Sequence, residues 1–190
     1  MIKTTSGWRN PQTQNGVLSS GANALDGDAS TAANLIQLTT DESAYIIFSN
    51  FEGLDIPSDA IIKGIKFKIT ASYANTYAAT KLKDFWISKD GASGTFSQQA
   101  FAIAAHNLTT SAAEYLVGSE TQLWGLNFNN WIDISQLAFR FKVDQQSDAA
   151  TTAVTGIYTI SALVHYNIPH TRLKVNSGKL TFKSGNHIIK

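Results

Sequence analysis

KGIKFKIT, residues 63–70, decides the fold class. Ile65, Phe67 and Ile69 fall on one side of an extended chain, and Lys66, Lys68 and Thr70 fall on the other. Successive side chains of a β-strand point to opposite faces, so a period of two marks a half-buried strand. The same period returns in LAFRFKVD, residues 137–144, where Leu137, Phe139, Phe141 and Val143 alternate with Arg140 and Lys142. YTISALVHY, residues 158–166, sets Ile160, Ala162, Val164 and Tyr166 on one face, and SAYIIFSN (43–50) and LKDFWISK (82–89) read as further strands. Turn chemistry separates them at Asp26-Gly27, Ile56-Pro57-Ser58-Asp59, Lys89-Asp90-Gly91 and Asn129-Asn130. Ala100 to Ala105 and Ser111 to Leu116 lean towards helix, but both are short. Half-polar alternation belongs to antiparallel sheets rather than to the continuous apolar strands of a doubly wound fold. The expectation is therefore an all-β, antiparallel two-sheet sandwich of about eight strands.

Length and composition agree with one such domain. The chain has 190 residues, 43% of them hydrophobic and 15% charged, which suits a globular core rather than disorder. Cysteine is absent, so disulfides and thiolate metal sites are excluded. The N-terminus lacks the apolar stretch of a signal peptide, and the apolar run Ala44 to Phe48 is far too short to span a bilayer. The expectation is a protein kept soluble in its cell, with no membrane partner.

The formal net charge of +1 hides an asymmetry. Arg172, Lys174, Lys179, Lys183 and Lys190 lie in the last twenty-one residues with no acid among them. The body is thereby net acidic, which argues against a nucleic-acid partner. The tail lysines alternate with apolar residues, as on the wet face of strands.

That tail also repeats itself. Leu173-Lys174-Val175-Asn176-Ser177-Gly178 returns as Leu180-Thr181-Phe182-Lys183-Ser184-Gly185. Pro169 marks a boundary, because proline interrupts strand pairing. We divide the chain into a sandwich domain at residues 1–167 and a C-terminal strand-turn extension at 168–190. Leu173, Val175, Leu180, Phe182, Ile188 and Ile189 are the expected partner or oligomer interface. Buried apolar side chains contribute roughly 1.5–3 kcal/mol each, too much to leave in water.

Catalytic and cofactor spacings are not found. The chain has no GxGxxG, P-loop, GxSxG or HExxH motif, and its four histidines are not spaced as metal pairs. We expect no enzymatic activity and no cofactor. Trp86, Trp124 and Trp131 fit either a sugar-stacking platform or core packing, and the large area of an aromatic side chain favours the core. ALDGDASTAANL, residues 24–35, resembles the loop of discoidin-like (galactose-binding-like) domains that holds a structural calcium. On that resemblance Asp26, Asp28 and Thr31 are candidate oxygen ligands. A plain Asx turn is the alternative, and the stronger one, so no metal residue is assigned.

The order of motifs carries a second resemblance. Trp8-Arg9-Asn10-Pro11 leads to the DGD segment, then to Ser49-Asn50-Phe51, Ile56-Pro57-Ser58-Asp59-Ala60-Ile61-Ile62-Lys63-Gly64-Ile65, Lys89-Asp90-Gly91, Leu123-Trp124-Gly125 and Val164-His165-Tyr166. The succession is similar to a group of virion structural proteins of tailed bacteriophages. It implies a jelly-roll-like sandwich that builds or decorates a particle by protein–protein attachment. It further implies a homo-oligomer bound to other virion proteins, assembled in the host cytoplasm and located in the virion. The alternative is a carbohydrate-binding module or lectin-like domain with a host-surface glycan as partner.

Overall fold

Two sheets with opposed apolar faces account for the alternating segments. The computed structural model describes residues 2–16, 18–37, 43–51, 53–74, 79–97, 104–128, 132–146, 153–169, 174–176 and 179–181. The strands of the sandwich are β1 (Ile2–Thr5), β2 (Pro11–Asn15), β3 (Ala33–Gln37), β4 (Ile46–Phe51), β5 (Ile61–Ala74), β6 (Ala79–Ser88), β7 (His106–Asn107), β8 (Ala113–Gly118), β9 (Ala138–Gln146) and β10 (Ala153–Ile168). One five-stranded sheet runs β1-β10-β5-β8, with β3 also paired to β10; the other runs β2-β4-β9-β6-β7. Every pairing is antiparallel.

From β1 to β10 each connection passes to the other sheet, except β6 to β7. That alternation makes the sandwich jelly-roll-like. One edge of β10 is shared. Its residues 165–168 pair with β1, and 153–157 pair with β3. The strands outnumber the expected eight because β1, β2, β3 and β7 are short and carry no clear alternation. Ala113–Gly118, overlapping the helix-leaning Ser111 to Leu116, is strand β8. Among the described residues, helix is confined to a single turn, α1 (Ile132–Ser135), and a 3₁₀ turn at Gly21–Ala24.

The expected core face is the observed one. Ile65, Phe67, Ile69, Phe139, Phe141 and Val143 are all fully buried. Phe67 of one sheet stacks on Phe139 of the other, ring centroids 4.0 Å apart. This contact ties the two sheets face to face. Lys68 on the wet side pairs with Glu114 at 3.1 Å. Thr70 differs from expectation. It lies on the outer face but is covered, and the Thr159 hydroxyl donates to its oxygen at 2.8 Å.

Two corners turn on backbone proximity. A side-chain carbon at Gly64 would lie 2.3 Å from the Glu120 carbonyl carbon, so only glycine fits where β5 passes the β8 exit. The pairing of β10 with β5 shifts register at the same place, between His165 and Tyr166. Trp124, at φ +55°, turns its indole inward, and its Nε1–H donates to the Ile65 carbonyl at 3.0 Å.

Among the described residues beyond Ile168, no strand pairs with either sheet. β11 (Lys174–Asn176) and β12 (Lys179–Thr181) pair antiparallel as a separate two-stranded sheet. Val175 stands opposite Leu180 in that register.

Candidate functional site

The outer face of the β2-β4-β9-β6-β7 sheet gathers rings around Arg140, with Lys142 Nζ also 4.9 Å from the Tyr45 ring centroid. Register across the sheet aligns Asn15, Ile47, Arg140 and Trp86 in one row. The next row is Thr13, Ser49, Ala138 and Ser88. Ser49, Ala138 and Ser88 are small and buried although they point away from the core. They are buried because the segment after β6 folds over them. Asp90 N–H donates to the Ser88 hydroxyl at 3.1 Å, Gly91 N–H to the Gln136 carbonyl at 2.9 Å, and Ser97 N–H back to the Ile87 carbonyl at 2.8 Å. This return brings Phe96 over Arg140.

The guanidinium carbon of Arg140 then lies 4.0 Å from the Tyr45 ring centroid, 4.1 Å from Phe96 and 4.8 Å from Trp86. Tyr45 and Trp86 meet edge to face at 6.0 Å. Each cation–ring contact contributes about 0.5–2 kcal/mol, depending on desolvation. Burial lowers the Arg140 pKa from its ordinary value, while Tyr45 raises it; an arginine stays charged at neutral pH regardless. Its Nε is buried without a hydrogen-bond partner among the described residues. Neighbouring lysines are matched to acids: Lys83 to Asp144 at 3.3 Å, and Lys142 to Asp84 at 3.9 Å. Arg140 has no such carboxylate among the described residues.

Trp86 reaches this face through a bulge. Leu82 and Ile87 both point inward, though five positions apart, which strict alternation forbids. The register shift between Lys83 and Trp86 supplies the missing step, with Asp84 in the left-handed region at φ +53°. A bulge that re-aims a side chain is a recurrent feature beside binding sites. Sequence reasoning placed Trp86 among possible core residues, because the bulge that turns it outward has no glycine to announce it. Trp124 follows the core reading and is 4% exposed. Trp131 lies outside the described residues.

The aspartate loop folds as an Asx turn. Asp28 N–H donates to Asp26 Oδ1 at 2.8 Å, Ser30 N–H donates to Asp28 Oδ1 at 2.8 Å, and the Thr31 hydroxyl donates to Asp26 Oδ2 at 3.2 Å. The Ser30 hydroxyl and N–H hold the Asp28 carboxyl below its ordinary value. These oxygens are used within the loop itself, so the residues fit a turn better than a calcium cage. Chelation with EDTA is expected to leave the thermal midpoint unchanged; a clear drop, mirrored in Asp26→Ala, would restore the metal reading.

A cleft of about 650 Å³ opens between the β4–β5 connection and α1. Phe51, Leu54, Ile56 and Ile134 give it apolar walls. The carboxylate of Asp55 at its rim pairs with Arg9 at 3.6 Å. Arg9 also bonds the Gly53 carbonyl through Nε.

Of the expected interface residues, Val175 and Leu180 lie in the paired strands β11 and β12. Leu173, Phe182, Ile188 and Ile189 fall outside the described residues.

Neither a family model nor a curated relative matches the sequence. Solved structures do resemble the fold. The chain is similar to the CBM22-1 xylan-binding domain of Paenibacillus barcinonensis Xyn10C, with 10% identity over 86% of this chain and 92% of that one, at a TM-score of 0.38. It is also similar to a family 29 carbohydrate-binding module from Piromyces equi, with 12% identity over 85% and 91% of the two chains, at a TM-score of 0.36. A third likeness is to a chain of infectious bursal disease virus, Gt strain. There identity is 12% over 82% of this chain and 32% of that one, at a TM-score of 0.38.

Proposed function

We propose that this protein is a non-catalytic structural component of a bacteriophage virion that works by protein–protein attachment. The observation that carries the reading is the separate antiparallel pair β11–β12. A sandwich with both sheets built is followed by a two-stranded sheet that joins neither. An isolated hairpin is marginal in water, so it gains stability by packing on something else. The repeated apolar residues of the tail supply the contact, and exposed strand edges supply backbone pairing. Other virion proteins and a second copy of this chain are the partners assigned to that contact. The order of motifs along residues 8–167 supports the phage setting. Immunogold labelling of particles purified from a lysate tests it. Label on the particles is the expected result; label confined to the soluble fraction overturns it.

A second reading, a carbohydrate-binding domain, is favoured by one observation. Tyr45, Trp86 and Phe96 stand together on an outer sheet face, where aromatic rings contribute nothing to the core.

A further inference from the structure

The cluster on the outer face of β9 has a feature that ring packing alone does not explain. Among the described residues Arg140 keeps a buried Nε–H without an acceptor, and it lacks a carboxylate although Lys83 and Lys142 beside it each have one. An unsatisfied buried donor costs stability unless a ligand or water completes it. The bulge at Asp84 holds a non-glycine residue at positive φ to turn Trp86 towards the same guanidinium. Strain of that kind persists where the surroundings enforce it, and it clusters at binding sites.

We propose that this face binds a carboxylate-bearing saccharide, with a sugar ring against Trp86 and Tyr45 and its carboxylate on Arg140. The proposal deepens the second reading above and is independent of the tail. A planar guanidinium matches a carboxylate through two parallel N–H···O bonds, which a lysine does not reproduce. Rings already pressed on that guanidinium hold it in place, so little rotamer freedom is lost on binding. Among the described residues the large exposed hydrophobic side chains, Trp8, Ile36, Ile61 and Leu116, belong to other strands and loops. The face offers rings, a cation and hydrogen-bonding groups, with the half-buried Ile47 beside Arg140. Trp, Tyr and Arg also anchor protein interfaces, so an acidic protein segment is the competing occupant that the test below includes. Uronate and sialate residues carry the same carboxylate, and the choice of probes separates them.

Calorimetry on the full chain uses tetragalacturonate and sialyllactose, each beside its carboxyl-reduced form, with the Trp86 indole N–H signal followed by NMR. At least one carboxylate form should bind and shift that signal, and its reduced form should bind on the order of tenfold more weakly. Arg140→Met should lose the same factor for the carboxylate form and leave the reduced form unchanged, with Arg140→Lys between. If Arg140→Met fails to fold, the paired ligands and Arg140→Lys still decide the matter. Equal affinity for each saccharide and its reduced form overturns the carboxylate assignment while leaving the second reading intact. Failure of every saccharide, including neutral cellohexaose and xylohexaose, overturns both. Capture of a poly-glutamate peptide through Arg140, without saccharide binding, overturns the proposal in favour of an acidic protein partner.

Discussion

Phe139→Ala is expected to destabilise the sandwich by about 3–5 kcal/mol. Phe139 is fully buried on β9 and stacks on Phe67 from the facing sheet, with Phe85, Phe141 and Trp124 closing around it. Truncation removes the ring's transfer free energy and leaves a cavity that packed neighbours fill poorly. Because the stack joins the two sheets, the loss falls on the contact between layers and not on one strand. Urea denaturation followed by fluorescence measures it, with a lower midpoint at unchanged slope. A change below about 1 kcal/mol would mean that β9 has been assigned the wrong face.

Trp124→Ala should cost a similar amount, about 3–5 kcal/mol, for a different reason. The indole fills the corner where β8 ends, edge-on to Phe67 at 5.7 Å, and its Nε1–H satisfies the buried Ile65 carbonyl. Gly118 is pressed between these groups: a side-chain carbon there would meet the Ile65 oxygen at 2.4 Å and the indole at 3.0 Å. Trp124→Phe separates packing from hydrogen bonding. It keeps much of the apolar volume and removes the donor, so about 1–3 kcal/mol should remain lost. Equal costs for the two variants would mean that the hydrogen bond outweighs the packing, against this reading of the corner.

The sandwich was legible because β5, β9 and the second half of β10 are amphipathic with a period of two. There every residue read from sequence as inward is buried. Legibility failed where parity breaks. The shift between Ile157 and Thr159 lets Ile157 and Ile160 both face the core, and the shift at Asp84 puts Trp86 outside. Neither break carries glycine, the residue that usually advertises such a conformation. By contrast glycine does mark two corners: Gly64 lies against the Glu120 backbone, and Gly125 follows Trp124 at φ +70°. The ring cluster could not be assembled from sequence. Tyr45, Trp86, Phe96 and Arg140 come from three separate stretches, and only sheet register plus the folded-back segment after Ser88 unites them. The tail repeat was visible as a pattern, and the β11–β12 pairing shows its two units meeting as neighbours.

A sandwich that folds by itself is proposed to carry a C-terminal attachment element. Sedimentation of the full chain beside a chain ending at Pro169, with a melting curve for each, tests it most directly. The cut keeps β10 whole, including the pairing of Ile168 with Ile2. The shortened chain is expected to melt like the full one but to sediment as a monomer, while the full chain self-associates. Equal self-association of the two chains would contradict the attachment role, and an unfolded shortened chain would contradict the sandwich's independence.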